Sequence, residues 1–591
     1  MNRSDTSALS AVETNLRSWG SDHLANLLRH IGLEYVALNP GASYRGLHDS
    51  LVNHLGDQKP QMLTVLHEEH AVAIAHGYAK VTGKPMGAIL HANVGLMHGS
   101  MAIFDAFCDR VPVLVFGATG PVDTAKRRPW IDWLHTSKDQ GALVRSFVKW
   151  DAEPSSLEGA TEAVVRARRI ATTVPCGPTY VCFDSALQEA SAAELPAMPD
   201  LRRYEPPEPP AVSGPSVQRL AQRLAEARRP VILMGRVNRD PEAWQRRVAL
   251  AERLGATVLT DFKLGAAFPS RHPLHGPAPG YFLTEPALAL LREADVVLSL
   301  DWLDLAGALK AAFGTHPVAP HVVQVSLDHV LHNGFGGEHQ GMPCADTFLA
   351  ADPDTLVAQL LPHLPAAAPP ATRPPAAATP AINDRYEGDM PLATFAQLVS
   401  AALDAAQPAS LIRTNLGWPG DAKAFEHPLD YLGYDGGGGV GSGPGMCVGA
   451  ALALRDSGRL AVGVLGDGDF LMGVTALWTA VRYRIPLLVV VANNRSFFND
   501  EVHQEKVAQV RARPVENKWV GQRIEGPDVD IAGMARAQGA TAWGGLQTVA
   551  EVQSALRDGL QAVRDGKVAV IDVRITREYA KAMASGLTRG D

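Results

Sequence analysis

The segment from residue 460 to residue 494 constrains the fold of this chain more than any other. Residues 460–465 and 487–492 are apolar runs with the length and composition of buried parallel strands. Residues 471–483, between them, carry apolar side chains at helical spacing and predict one helix. A strand, a helix and a second strand in this order predict a parallel α/β unit.

Polar residues and glycines follow both of these strands. Gly466, Asp467 and Gly468 follow the first strand, and glycines let the main chain approach an anion closely. Asn493 and Asn494 follow the second strand, so both polar groups are expected at one edge of the sheet. Asp-Gly is also common in ordinary turns. The triplet at residues 466–468 by itself therefore fits either an anion-binding turn or a purely structural turn.

The oxygen atoms expected at this edge suit Mg²⁺, which prefers six oxygen ligands in octahedral geometry. The Asp467 carboxylate, the Asn494 amide oxygen and a main-chain carbonyl near Ser496 would supply the protein ligands. Two phosphate oxygens and a water molecule would complete the shell. The spacing therefore predicts a site for magnesium and a diphosphate group.

A candidate acid lies far upstream, in the sequence LHEEHAVAIAHGYAKVTGKP at residues 66–85. Glu68 follows a predicted strand at 62–66 and precedes a predicted helix at 71–81. Burial at this position would favour a protonated carboxyl group, whereas a helix start favours the ionised form. The sequence does not decide whether Glu68 is protonated or ionised. The alternative to a catalytic role is that Glu68 only stabilises the start of the helix.

A glycine-rich run, DGGGGVGSGPGMCVGAALAL at residues 435–454, precedes the first strand. Gly436, Gly438 and Gly441 fit the spacing GxGxxG of nicotinamide-binding sites. No clear apolar strand precedes them, Pro444 stands where the helix would begin, and no acidic residue ends the next strand at the expected place. We therefore reject a nicotinamide site here.

These segments together resemble the thiamine diphosphate-dependent enzymes, in the branch of acetolactate synthases and benzoylformate decarboxylases. The pattern GDG followed by NN is similar to the family's metal-binding signature, and residues 67–85 resemble its HEQ(G/A)A...GYAR.TGK region. The resemblance implies that Asp467, Asn494 and the Ser496 carbonyl bind Mg²⁺. It also places Gly466, Gly468 and Asp469 at the cofactor.

The same resemblance implies roles for residues outside the metal turn. Glu68, and not Glu69, would activate thiamine diphosphate by favouring the imino tautomer of its aminopyrimidine. The Gly438 carbonyl would accept a hydrogen bond from the cofactor's amino group, and Val440 would lie under the bent cofactor. Gly41, in the sequence NPGAS at residues 39–43, is also expected at the cofactor.

Two histidines in HANVGLMHGSMAIFDAF are candidates for proton transfer to the substrate. His91 matches a catalytic histidine of benzoylformate decarboxylase, and we expect it to act as an acid or base. His98 stands where relatives commonly have asparagine, and we include it as a second candidate. A packed structural histidine is the alternative for each. A second histidine of benzoylformate decarboxylase, expected near residue 308, is missing.

Residues 495–519 are predicted to form a lid and a helix above the cofactor. The residues expected to shape the substrate pocket are Phe497, Phe498, Asn499 and His503. The residues expected on a solvated helix face are Glu501, Glu505, Lys506 and Arg511.

Two proline-rich segments, at residues 191–214 and 365–381, are predicted linkers in this chain of 591 residues. They divide the chain into three predicted α/β domains. The resemblance implies that these are doubly wound parallel-sheet domains, with predicted bounds of 1–190 for the pyrimidine-binding domain, 214–364 for the central domain and 382–591 for the diphosphate-binding domain. In the central domain, strands are predicted at 229–236 and 294–301 and a helix at 241–254. The sequence LDWLDLAG departs from the GARFD-like sequence of acetolactate synthases, so FAD is doubtful.

Composition and charge limit which partners are expected for this chain. The net charge of −8 favours neither a nucleic-acid surface nor a polyanion site, and no apolar run is long enough for a membrane helix. The five cysteines lack paired spacing, and the amino terminus lacks a long apolar core, so a cytoplasmic location is expected. The resemblance implies a homodimer or homotetramer with active sites at subunit interfaces.

The sequence thus predicts an enzyme that uses thiamine diphosphate and Mg²⁺ to cleave or form the bond next to a carbonyl group. The expected substrate is a 2-oxo acid, decarboxylated with or without carboligation. One alternative is an aldehyde or 2-hydroxyketone lyase or carboligase that releases no carbon dioxide. Another is a regulatory subunit that binds the cofactor without catalysis, against which the presence of Glu68 argues.

Overall fold

The structure is a computed structural model that describes residues 18–192, 194–328, 341–366 and 386–578. The chain divides into two compact units, with the boundary after Pro207. The predicted linker at 365–381 falls outside the described residues from position 367 onward. No helix within the described ranges is both long enough and apolar enough to cross a membrane.

The first unit contains a six-stranded parallel sheet in the order β3-β2-β4-β5-β7-β6 and a two-stranded antiparallel ribbon of β1 and β8. The strands are β1 Ser18–Trp19, β2 Tyr35–Leu38, β3 Gln61–Thr64, β4 Met86–Leu90, β5 Val113–Thr119, β6 Asp151–Ala152, β7 Thr179–Asp184 and β8 Ser191–Ala192. The α-helices are α1 Gly20–His30, α2 Arg45–Asp49, α3 Glu68–Thr82, α4 Ala92–Cys108, α5 Ile131–Leu134, α6 Leu157–Thr172 and α7 Ser185–Glu189.

The second unit begins with a five-stranded parallel sheet in the order β10-β9-β11-β12-β13. Its strands are β9 Pro230–Met234, β10 Thr257–Leu259, β11 Val296–Leu300, β12 His321–Val325 and β13 Thr347–Leu349. The helices described around it are α8 Gly214–Ala225, α9 Pro241–Leu254, α10 Glu285–Glu293, α11 Leu305–Phe313 and α12 Pro353–Leu360.

A second five-stranded parallel sheet completes this unit, in the order β14-β15-β16-β18-β17. Its strands are β14 Ala409–Arg413, β15 Leu460–Gly466, β16 Leu487–Asn493, β17 Thr541–Leu546 and β18 Val568–Arg574. The helices are α13 Leu392–Ala405, α14 Gly443–Leu454, α15 Asp467–Gly473, α16 Ala476–Arg482, α17 Phe498–Val510, α18 Ile531–Ala537 and α19 Val549–Arg564. The predicted α/β class, with three parallel sheets, is confirmed.

Apolar strands form the centre of each of these sheets. The side chains of β15 and β16 are almost wholly buried, as expected for parallel strands covered on both faces by helices. Because every strand of a parallel sheet points the same way, β15 and β16 place their following residues at one edge. The predicted arrangement of the acidic turn and the paired asparagines at one edge is observed.

The single helix predicted at residues 471–483 is wrong. The chain enters a helix already at Asp467, leaves it after Gly473 and starts a second helix at Ala476. Gly473 lies against the glycine-rich loop, where an added β-carbon would lie 2.3 Å from the carbonyl oxygen of Gly441. The first helix is therefore packed against that loop at its last turn, a tertiary contact that helical periodicity does not contain.

A buried charge cluster joins α3 and α4. The Asp109 carboxylate, just after α4, accepts contacts from His76 at 2.7 Å and from the Lys80 ammonium at 2.5 Å. The side chains of His76 and Lys80 are each 1 % exposed. Burial opposes ionisation of Asp109, but the Lys80 charge and the His76 hydrogen bond together hold its pKa well below the usual range.

We predict that Asp109→Asn destabilises the first unit strongly. The substitution leaves the buried Lys80 charge without its carboxylate, and breaking a buried pair of this kind costs ~3–5 kcal/mol. Because the folded pKa of Asp109 is depressed, its contribution is present above the unfolded pKa and is lost as the pH falls below it. Hydrogen exchange of α3 and α4 at neutral pH measures the loss.

The matched control is Glu162→Gln, which removes an exposed i, i+4 pair with Arg166. Exposed pairs on helices contribute little, so exchange should stay close to that of the wild type. Equal exchange in the Asp109 and Glu162 variants would contradict the prediction.

Candidate active site

Glu68 is a buried carboxyl group of the first unit. It is the first residue of α3 and is only 8 % exposed, although it lies at a helix start where acids are commonly solvated. The strand before it ends at Thr64, and the helix begins at Glu68 rather than at residue 71 as predicted. The His67 side chain caps this helix by accepting a hydrogen bond from the Glu69 amide at 3.2 Å.

Two imidazoles accompany Glu68. The Nδ1 atom of His98 lies 3.0 Å from Oε2 of Glu68, and the His98 side chain is 59 % exposed. The rings of His67 and His98 stack with centroids 5.0 Å apart. Gly95, one turn before His98, faces Glu68, because an added β-carbon there would lie 3.0 Å from Glu68 Cγ. The predicted candidates Glu68 and His98 are therefore direct neighbours.

His91 lies at the end of β4, just before α4, as predicted. Its Nδ1 lies 2.9 Å from the Ser43 hydroxyl, and an added β-carbon at Gly41 would lie 2.3 Å from His91 Cβ. The sequence NPGAS therefore packs directly on this histidine, which explains the glycine. Burial lowers the pKa of His91, and His135, whose ring centroid lies 4.7 Å away, lowers it further, so the imidazole is neutral at neutral pH.

The predicted metal ligands Asp467, Asn494 and Ser496 lie together in the second unit, and the turn that they form is called the metal turn. Asp467 is 3 % exposed, and the Ser496 amide donates to its Oδ2 at 3.2 Å and to Oδ1 of Asn494 at 3.0 Å. Burial raises the pKa of Asp467 to about 6, and the contacts that oppose this shift are main-chain amides. A cation beside this carboxylate would offset the cost of burying its charge.

The two asparagines at the end of β16 have different environments. Asn493 is buried and donates from Nδ2 to Asp572 on β18 at 2.8 Å, while its Oδ1 accepts from the Arg495 amide at 3.1 Å. Asn494 instead lines the cavity beside Asp467. Arg495 has φ +57°, so the chain turns sharply just after the pair. The structure thus assigns Asn493 to the sheet and leaves Asn494 facing the site.

A cavity of about 220 Å³ lies at the carboxyl edge of this sheet. Val440 in its wall is 40 % exposed, and Gly438 has φ +76° with open space where a β-carbon would stand. The predicted cofactor and metal residues of this unit all line it, namely Gly438, Val440, Gly466, Asp467, Gly468, Asp469, Asn494 and Ser496. Of the predicted pocket residues, those that line it are Phe497, Phe498 and Asn499.

The donors present fit a magnesium diphosphate group. Asp467, Asn494 and Ser496 offer hard oxygen atoms, which are the ligands that Mg²⁺ prefers. Gly466 faces open space, with no atom within 4 Å of an added β-carbon, so its main chain is accessible to an anion. Asp467 and Gly468 also lie at the start of α15, where the helix dipole favours negative charge.

The predicted solvated face of the lid helix is wrong at Glu501. This residue is 1 % exposed; it accepts from the Ser496 hydroxyl at 2.5 Å and from Arg523 at 3.2 Å. The segment around Arg523 pairs antiparallel with Ser496, which brings the arginine to α17. Glu501 is therefore a buried link between the lid helix and the metal turn, whereas Arg511 is exposed as predicted.

Sequence reasoning missed a charged cluster beside the glycine-rich loop. Arg413, at the end of β14, pairs with Asp435 at 2.8 Å and with Asp469 at 3.2 Å, and it lines the cavity. The Asp469 carboxylate also accepts from the Gly441 amide at 2.7 Å. The sequence contained a usable signal, because Arg413 ends a short apolar strand. A buried arginine at such a position requires carboxylate partners, which predicts a charged cluster.

Comparison with known proteins identifies the family. Residues 18–143 match the N-terminal TPP binding domain of thiamine pyrophosphate enzymes, residues 217–333 their central domain and residues 415–573 their C-terminal TPP binding domain. TPP, thiamine pyrophosphate, is thiamine diphosphate. The chain belongs to the thiamine pyrophosphate enzyme family, in the branch that includes benzoylformate decarboxylases and acetolactate synthases.

Two curated relatives are similar along most of their length. Benzoylformate decarboxylase of Pseudomonas aeruginosa is 26% identical over 80% of this chain and 85% of its own. The large subunit of acetolactate synthase isozyme 1 of Escherichia coli is 25% identical over 84% of both chains. The crystal structure of benzoylformate decarboxylase from Polynucleobacter necessarius shares the fold, with a TM-score of 0.78, 21% identity and coverage of 95% of this chain and 99% of its own.

We predict that His70 makes α3 sensitive to acid. Burial lowers the pKa of His70 from 6.5 to about 4, with a smaller contribution from His67. The unfolded chain therefore binds the additional proton first, so stability is present above pH 6.5 and is lost as the pH falls toward 4. One pKa unit corresponds to about 1.4 kcal/mol, so the loss amounts to about 3 kcal/mol.

Hydrogen exchange of α3 between pH 7 and pH 4, in the wild type and in His70→Gln, measures this effect after correction for the intrinsic exchange rate. The variant should show a smaller loss of protection than the wild type over that interval. His316→Gln, at an exposed position, is the control and should follow the wild type. An identical pH dependence in His70→Gln and the wild type would rule out the predicted role.

Proposed function

We propose that this protein uses thiamine diphosphate and Mg²⁺ to cleave or form the carbon–carbon bond next to a carbonyl group. The proposed reaction is decarboxylation of a 2-oxo acid, with or without transfer of the remaining group to a second carbonyl compound. The observation that carries the proposal is the buried carboxylate of Asp467, which shares a cavity with Asn494 and Ser496 and is stabilised by main-chain amides. The names of the relatives support the reaction class.

Each proposed role follows from the position of the side chain. Asp467, Asn494 and the Ser496 carbonyl would hold the metal ion, and the main chain at Gly466 and Gly468 would receive the diphosphate. The Gly438 carbonyl and the Val440 side chain would position the remainder of the cofactor. When bound, thiamine diphosphate supplies an electron sink for the carbanion that such a reaction generates.

The first unit would manage protons. Glu68 is buried, and its carboxyl group would exchange a proton with the bound ligand. His98 holds Oε2 of Glu68 and would orient the carboxyl group. His91 is neutral at neutral pH and would accept or donate a proton at Nε2, because its Nδ1 is engaged by Ser43.

We predict that Glu68→Gln lowers turnover by at least ~100-fold, the contribution of a general acid or base. The affinity for Mg²⁺ and pyrophosphate should not change, because the groups proposed to bind them belong to the second unit. Glu69→Gln is the control, since Glu69 lies next in the chain but outside the proposed machinery. Steady-state kinetics and calorimetric titration measure the two quantities, and an unchanged turnover in Glu68→Gln would remove this residue from the mechanism.

A substrate panel separates the proposed reaction from its alternatives. The purified protein, loaded with thiamine diphosphate and Mg²⁺, is supplied with 2-oxo acids, aldehydes and 2-hydroxyketones while carbon dioxide and carbonyl products are measured. Release of carbon dioxide from a 2-oxo acid is the expected result. Products formed from aldehydes or 2-hydroxyketones alone would favour the lyase or carboligase, and cofactor binding without any turnover would favour the regulatory subunit.

We further propose a homodimer or a homotetramer as the active form. Membership of the thiamine pyrophosphate enzyme family supports this proposal, because enzymes of this family are generally oligomeric. Light scattering of the cofactor-loaded protein, coupled to an activity measurement on each fraction, should find turnover only in oligomeric fractions. An active monomer would contradict this part of the proposal.

A further inference from the structure

Arg413 is the central charge of a cluster in the wall of the cavity. The residue ends β14 and is 3 % exposed. Its guanidinium lies 2.8 Å from the Asp435 carboxylate and 3.2 Å from that of Asp469, and 4.4 Å separates its central carbon from the ring centre of Tyr434. Asp435 and Asp469 are also buried, so three charged groups are withdrawn from water together.

Both carboxylates hold the glycine-rich loop. Oδ1 of Asp435 accepts from the Gly438 amide at 2.8 Å. Oδ1 of Asp469 accepts from the amides of Gly441 and Gly443 at 2.7 and 3.3 Å. The loop that presents Gly438 and Val440 to the cavity is therefore fixed at both of its ends by carboxylates that share one arginine.

This arrangement matters because the proposed ligand is an anion. Asp467 and Asp469 both begin α15 and both line the cavity. A metal ion would offset the charge of Asp467, but a second buried carboxylate would repel a diphosphate group strongly, since charges interact more strongly where water is excluded. Arg413 faces Asp469 and offsets that charge.

We propose that Arg413 is a positioning residue that makes this cavity accept a diphosphate group, by offsetting part of the negative charge of Asp469 and Asp435 and by fixing, through Asp435, the loop that carries Gly438. It acts through the two carboxylates and the loop amides, and its role does not require contact with the ligand. The inference rests on the proposed function, because it assumes that a magnesium-bound diphosphate occupies the cavity.

The test uses the full-length protein without cofactor and measures its affinity for inorganic pyrophosphate in the presence of Mg²⁺ by calorimetric titration.

Asp469→Asn keeps the oxygen that accepts from the loop amides but removes one negative charge, so it should bind pyrophosphate about 3-fold more tightly at low salt. Arg413→Met leaves the carboxylates uncompensated and should bind at least ~10-fold more weakly. The double variant should return to within about 3-fold of the wild type, because the charge of Asp469 is then absent.

Arg459→Met is the matched control. Arg459 forms a comparable, largely buried pair with Asp430, but it lies beside the first residues of β14, at the end of the strand opposite to Arg413. Its loss should lower stability and leave the pyrophosphate affinity unchanged. Thermal unfolding of every variant, recorded beside the titrations, separates a loss of folding from a loss of binding.

Three results would overturn the inference. They are a wild-type affinity in Arg413→Met, a double variant that binds no more tightly than Arg413→Met, and an Asp469→Asn variant that binds no more tightly than the wild type. If Arg413→Met does not fold, the pyrophosphate affinity of Asp469→Asn relative to the wild type still tests the repulsion that Arg413 is proposed to offset. A wild-type protein that binds neither pyrophosphate nor thiamine diphosphate would instead contradict the proposed function.

Discussion

The burial of Asp467 at the carboxyl edge of the sheet β14–β18 is the constraint on which the candidate site depends. A carboxylate taken out of water is costly unless donors or a cation replace its hydration. Here main-chain amides of the turn supply the donors, and the strand ends bring Asn494 and Ser496 to the same carboxylate. The parallel topology makes this possible, because consecutive strands that point one way deliver their following loops to one edge.

The first unit uses the same topology to place the groups for which we propose proton transfer. Its strands β3 and β4 are followed by α3 and α4, so Glu68 and His91 each lie where a helix begins after a buried strand. Asp109 joins the two helices farther along their length, through His76 and Lys80. With the helices tied together there, the separation of the groups at their amino-terminal ends is set by packing, which suits a site that has to place a carboxyl group and an imidazole accurately.

The parts of the fold and site that follow local rules could be predicted from the sequence. Apolar runs predicted β15 and β16, the helix predicted at residues 241–254 coincides with α9, and the ends of the predicted strands brought Asp467 and Asn494 to one edge. The break after Gly473 could not be predicted, because it reflects packing against a loop from elsewhere in the chain. The alternating charges of the lid helix wrongly predicted a solvated position for Glu501, because Arg523, the cation that allows its burial, lies in a later segment of the chain.

The carboxylates near the cavity of the second unit differ in what offsets their charge, and this difference matches the roles proposed for them. Arg413 pairs with Asp435 and Asp469, and Arg523 pairs with Glu501, so these three carboxylates have a cation supplied by the protein. Asp467 has only neutral main-chain amides as partners, and burial raises its pKa to about 6, so it is the carboxylate among these that we propose as the metal ligand. Two acids only two positions apart, Asp467 and Asp469, thereby acquire different chemistry from their tertiary partners alone. A sequence motif identifies the turn that carries them, but the arginine that distinguishes them comes from a different strand.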